Sequence, residues 1–155
     1  MKLVKYSLFF SICFLLINCK SEKKEVIINS FMVGKWQTKS ISIKFPTHKS
    51  SDSTHVMREV FTQTSDKLPQ SEYFNNGTFN AWFLDINDEK LEMTSGKWSI
   101  QNDTLFTMYT YLGKEISPQY TVKEIKGTLK LSSIYDWDED GVKDDVLYMI
   151  SKKID

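Results

Sequence analysis

Cysteine is nearly absent: two occur in 155 residues, Cys13 and Cys19, and the stretch from 20 to 155 has none. A domain built from that stretch has no disulfide, no thiolate nucleophile and no Cys-based zinc centre. Histidine is equally sparse, with only His48 and His55, both in a Ser- and Thr-rich stretch that supplies no further ligands at metal-binding spacing. The pair reads as two solvated loop residues or as a weak binding pair. Excess charge is missing as well, with 20 basic and 20 acidic residues. Nothing in that balance attracts nucleic acid. Three prolines and six glycines leave few breakers, and no Gly-x-Ser-x-Gly elbow, phosphate-binding glycine loop or His-Glu-x-x-His is present. A carboxylate pair such as Glu59 with Glu72 could meet across strands and serve as acid and base, and nothing in the sequence requires it. Enzymatic function is therefore the minority expectation.

The N-terminus carries the strongest message about location. Lys2 and Lys5 precede an apolar run over residues 6–17, which is too short to cross about 30 Å of hydrocarbon as a helix. This is the pattern of a cleaved export signal. The run ends in Leu16-Ile17-Asn18-Cys19, which resembles the lipobox of bacterial lipoproteins. The resemblance implies a signal peptide over residues 1–18 and Cys19 as the lipid-modified first residue of the mature chain, with acyl chains such as palmitate holding it to the membrane. An ordinary secretory signal, with Cys19 incidental, is the alternative. Removing residues 1–18 takes away Lys2 and Lys5, leaving 18 basic against 20 acidic residues. Residues 19–30 then read as lipidated N-terminus and flexible tether, opening on the charged, aperiodic KSEKKE of residues 20–25. The expected address is the cell envelope, lipid-anchored at the outer membrane on its periplasmic or surface face.

From residue 31 onward the periodicity is two. Ile41, Ile43 and Phe45 alternate after Gly34-Lys35-Trp36, and residues 46–55 break the pattern as a loop. A second strand is expected over residues 56–64. Around Asn76-Gly77 aromatic residues flank a turn dipeptide, which predicts a β-hairpin with a tight primed turn. Asn76-Gly77-Thr78 and Asn102-Asp103-Thr104 also match the N-glycosylation acceptor, although turn chemistry accounts for both. Further strand runs follow at residues 90–100, 105–112, 119–125, 128–135 and 146–154, with Pro118 marking an edge or break. No long helix competes. The fold class expected is all-β, an antiparallel up-and-down barrel or near-barrel of about eight to ten strands over residues 31–155. Residues 105–112 and 146–150 are apolar on both parities, so some apolar surface must be covered or used.

Gly34-Lys35-Trp36 at the first strand, the aromatic hairpin around Asn76-Gly77-Thr78, and Ser95-Gly96-Lys97-Trp98-Ser99-Ile100 before Asp103-Thr104-Leu105 together resemble the lipocalin-like domain of small bacterial lipoproteins. That resemblance implies a small barrel with Trp36 packed near one end. In lipocalins proper it also implies an interior cup for an apolar ligand. The expected function is a lipid-anchored envelope binding protein that takes a small apolar or amphipathic ligand. The alternative is an interaction module that docks an envelope protein through an aromatic outer face or an ordered acidic loop.

That loop, Asp136-Trp137-Asp138-Glu139-Asp140-Gly141-Val142-Lys143-Asp144-Asp145, carries the spacing of calcium loops. Carboxylates at positions one, three and five converge on the ion and glycine at six permits the bend. By that template Asp136, Asp138 and Asp140 are ligands for Ca²⁺, Val142 offers its carbonyl, and Asp144 acts directly or through water. Leu147 stands where a bidentate Glu would close an EF-hand, and the flanks read as strands. The competing reading is a solvated hairpin loop that turns at Asp140-Gly141.

Overall fold

The computed structural model describes residues 31–47 and 53–155. The signal, Cys19, the tether and His48 lie outside the described residues. Ten strands form one antiparallel sheet: β1 Gly34–Phe45, β2 His55–Val60, β3 Lys67–Tyr73, β4 Thr78–Asp85, β5 Lys90–Gln101, β6 Thr104–Tyr111, β7 Lys114–Ile116, β8 Gln119–Ile125, β9 Thr128–Tyr135 and β10 Asp145–Lys153. Pairing runs β10-β9-β8-β6-β5-β4-β3-β1, and β1 also pairs β10 from Trp36 opposite Lys153 to Lys44 opposite Val146. Eight strands therefore close a barrel, with β2 and β7 added at its edges. No helix among the described residues is long and apolar enough to cross a membrane.

The alternation fixes which side chains face inward. Trp36, Tyr73, Phe79, Trp98, Ile100, Leu105, Leu129 and Leu131 are all buried in one core cluster. Residues of the opposite parity stay wet: Met108, Ile134, Tyr148 and Ile150 are exposed large apolar side chains. The two-parity runs thus carry an uncovered outer apolar set on β6, β9 and β10.

Turn chemistry is distributed differently from the sequence expectation. At Asn76-Gly77 only Gly77 has positive φ, and the Phe74 carbonyl accepts the Gly77 N–H at 3.1 Å. This is a three-residue connection with glycine in the left-handed position, not a primed turn. Asn76 instead turns its Oδ1 onto the Thr78 N–H (3.0 Å) and hydroxyl (2.7 Å). The two-residue primed turns fall at Asn102-Asp103, Leu112-Gly113 and Lys126-Gly127, where both residues have positive φ.

The second strand is also shorter than expected and ends at Val60. Beyond it the Thr62, Thr64 and Ser65 hydroxyls bond one another and the local backbone, which competes with ladder pairing. Pro118 sits in the break between β7 and β8, fully buried, with its carbonyl accepting from the Thr107 N–H and hydroxyl.

One end of the barrel is plugged. Met32 and Trp36 are fully buried there, and the Trp36 Nε1–H donates to the Met32 carbonyl at 2.8 Å. Phe31 packs against the Trp36 ring at 5.0 Å, and the Lys153 ammonium lies 5.7 Å from its centroid. Nearby, the Asp155 carboxylate accepts the Lys35 N–H, and the Ile154 N–H reaches the Lys35 carbonyl. The opposite end carries the β4–β5 and β6–β7 turns and the β9–β10 loop.

Candidate functional site

Above the Trp36 plug the barrel encloses a cavity of about 270 Å³. Its walls are predominantly apolar and aromatic, with Phe79, Ala81, Phe83, Leu105, Leu131 and Met149 among them. Such volume lies at the small end of what ligand sites occupy. Eight-stranded barrels have room for packed side chains or one small guest, and here part of that room is left open.

Space exists partly because the wall is divided. β3 pairs β1 only at Gly34–Gln37, whereas β2 takes the β1 edge from Ser40 to Phe45. Around Lys67–Pro69 the strand β3 therefore has β4 on one side and no ladder on the other, which is where a proline is tolerated in a sheet. Pro69 and Ile41 line the cavity at this parting.

Three tyrosines supply the polarity. Tyr73, Tyr109 and Tyr120 line the cavity; Tyr109 and Tyr120 share a hydrogen bond, and Tyr73 bonds Ser71. Burial pushes the Tyr73 phenol up to about 12, with the Ser71 hydrogen bond opposing. Burial likewise raises Tyr109 and raises Tyr120 well above the ordinary phenol value. All three stay neutral through the physiological range, as hydrogen-bonding groups on an apolar wall. Trp82 is buried on the lining with its Nε1–H lacking a partner among the described residues, while the Lys90 ammonium covers its ring at 3.7 Å.

Glu92 is the one charged lining residue among the described residues, and Lys67 pairs with it at 2.8 Å. Among the described residues the cup therefore offers hydrogen bonds and apolar area, with no free cation in its lining and no acid/base pair. Glu59 stands opposite Ile41 and Glu72 opposite Lys35, six residues apart on β1, or about 20 Å. The fold does not bring that pair together. His55 packs on Phe45, ring centroids 5.9 Å apart.

The acidic loop joins β9 to β10 at the open end. Asp136, Asp138 and Asp145 each place a carboxylate oxygen within 4.8 Å of the others. Asp140 is turned away: its Oδ1 accepts the Val142 N–H at 2.8 Å and its Oδ2 the Thr47 hydroxyl at 3.2 Å. Asp145 joins the cluster where the sequence template had put Asp140 and Asp144. As the first residue of β10, facing inward with Leu147, its place is legible from strand parity. Burial pushes the Asp145 carboxyl above the ordinary carboxylate value, against the Trp137 and Asp138 N–H groups, which pull it down.

Comparison with known proteins adds likenesses to solved structures. The chain is similar to a lipocalin-like protein from Bacteroides uniformis, at 12% identity over 80% of this chain and 99% of that one, with a TM-score of 0.45. No protein-family model matches, and neither does any curated protein.

Proposed function

We propose that this chain is a lipid-anchored protein of the bacterial cell envelope that binds a small, uncharged, largely apolar ligand inside its barrel. One observation carries the reading: a cavity of about 270 Å³ whose apolar walls hold the hydroxyls of three neutral tyrosines, Tyr73 buried and Tyr109 and Tyr120 half-buried. A guest with one hydroxyl, phenol or amide group pairs with those hydroxyls and buries the rest of its surface against Phe79, Leu105 and Leu131. A carboxylate of the same size enters without a counter-ion and leaves its charge desolvated, which is costly. The address rests on Lys2 and Lys5, the short apolar run, and Cys19 at its end.

Intact-mass and native mass spectrometry of the chain purified in detergent from a bacterial membrane fraction reads both halves. The covalent mass is expected to begin at Cys19 and include acyl chains, and the Cys19→Ala variant is expected to leave the membrane fraction. Separately, a non-covalent adduct of about 100–300 Da, the size such a cavity admits, is expected on part of the population. A chain without acyl mass overturns the anchor alone. A chain with no adduct, and none gained from an envelope extract, overturns the ligand alone.

A further inference from the structure

We propose that the β9–β10 loop is a Ca²⁺ site whose carboxylate core is Asp136, Asp138 and Asp145. The proposal is independent of any ligand in the cup. Three acids close in sequence do not make a site; the decisive residue is Asp145. It is fully buried, yet only its Oδ2 is satisfied, by the Trp137 N–H at 2.6 Å and the Asp138 N–H at 3.2 Å. Its Oδ1 has no partner among the described residues, and the same holds for buried oxygens of Asp136 and Asp144. A carboxylate withdrawn from water with an empty lone-pair side is expensive, and like charges beside it add to the cost. A cation held by the cluster is a partner that serves the buried oxygens of Asp136 and Asp145 at once.

Among the described residues, two cations near the loop have partners of their own. Lys114 pairs with Glu139 at 2.6 Å, and the Lys143 ammonium lies 5.7 Å from the Tyr135 ring centroid. The remaining oxygens wrap the loop around the cluster. The Asp136 Oδ2 accepts the Gly141 N–H at 3.0 Å, and the Asp138 Oδ1 accepts the Asp140 N–H at 3.2 Å. Asp136, Asp138 and Asp145 thus all help hold the chain. An all-oxygen, all-carboxylate set selects a hard cation over zinc or copper. Oxygens within 4.8 Å of one another fit around one ion with Ca–O distances of about 2.3–2.6 Å, whereas the stricter octahedron and shorter bonds of Mg²⁺ suit this flexible set less well. Loop carbonyls and water complete the shell.

Trp137, inside the loop, makes the site readable with Tb³⁺, a Ca²⁺ substitute whose luminescence an adjacent indole sensitises. With the full-length chain in detergent, excitation of tryptophan is expected to give Tb³⁺ emission that Ca²⁺ displaces with a midpoint of about 10⁻⁵–10⁻³ M. Ca²⁺ at millimolar concentration raises the thermal unfolding midpoint by several degrees, and Mg²⁺ does so far less. Asp138→Asn, half-buried and expected to fold, weakens Ca²⁺ at least tenfold while its midpoint in chelator matches or exceeds the unsubstituted chain's, because a repelling charge is gone. Trp137→Phe loses the emission but keeps the Ca²⁺ shift. Absent emission, an equal shift with Mg²⁺, or a Ca²⁺ shift retained in Asp138→Asn would each overturn the proposal.

Discussion

Replacing Trp36 by alanine is expected to destabilise the barrel by about 3–5 kcal/mol, read as a lower urea midpoint at unchanged slope. The indole is 1% exposed, forms the plug with Met32 and Phe31, and leaves a large cavity when removed because the surrounding strands are tied by their ladders. Domains of this size hold only about 5–15 kcal/mol in total, so the variant approaches the edge of folding. Trp36→Phe separates the two contributions. It keeps most of the apolar area but strands the Met32 carbonyl that the Nε1–H satisfies at 2.8 Å, an expected cost of about 1–3 kcal/mol. If Trp36→Ala left the midpoint unchanged, the plug would not be where the stability resides.

Gly96→Ala is expected to cost about 1–3 kcal/mol, although adding a methyl to a strand glycine ordinarily stabilises. The φ of Gly96 is not positive, so backbone preference is not at issue. Space is the constraint: a Cβ there would stand 2.4 Å from the Met108 carbonyl oxygen, 2.6 Å from Phe79 Cε1 and 2.8 Å from Tyr109 Cβ. Phe79 covers the bare glycine from β4 and meets Tyr109 edge-on at 5.9 Å, so the aromatic floor of the cup depends on this missing side chain. Gly113→Ala provides the contrast. Nothing lies within 4 Å of a Cβ at Gly113, and its φ of +78° makes the cost conformational, about 1–2 kcal/mol. Stabilisation by Gly96→Ala, or no cost at all, would mean that Phe79 and Met108 yield more readily than the close contacts allow.

What the sequence made legible followed from period two. Ile41, Ile43, Phe45, Leu129 and Leu131 alternate, and the all-β barrel with about eight to ten strands came from that pattern, whereas Trp36 packed near one end was what the resemblance to lipocalin-like domains implied. The turn at Asn76-Gly77 was placed correctly but mistyped, because asparagine in the left-handed region is a preference while Gly77 alone satisfies a three-residue loop. The cup was not legible. Its volume depends on how β2 and β3 divide the β1 edge, a long-range pairing that local periodicity does not encode, and Tyr120 reads as an ordinary strand tyrosine until Leu105 is known to lie opposite it. In the acidic loop the template took Asp140 and Asp144 by spacing. The carboxylates that cluster are those of Asp136, Asp138 and Asp145, the last because β10 begins at that residue and turns it inward.

The most direct test of the account is a titration of the full-length chain, in detergent, with small phenols, indoles and alcohols, each beside a carboxylate of matched size, followed by tryptophan emission and calorimetry. The account predicts saturable binding of one neutral molecule per chain with a Kd of about 1–100 μM, in keeping with what compact ligands can reach. The matched carboxylates bind at least tenfold more weakly. In Ala81→Phe, which places a ring inside the cup, binding is lost at an unchanged unfolding midpoint. Binding that Ala81→Phe leaves intact, or no saturable binding by any neutral probe, would contradict the claim that the barrel interior is the functional site.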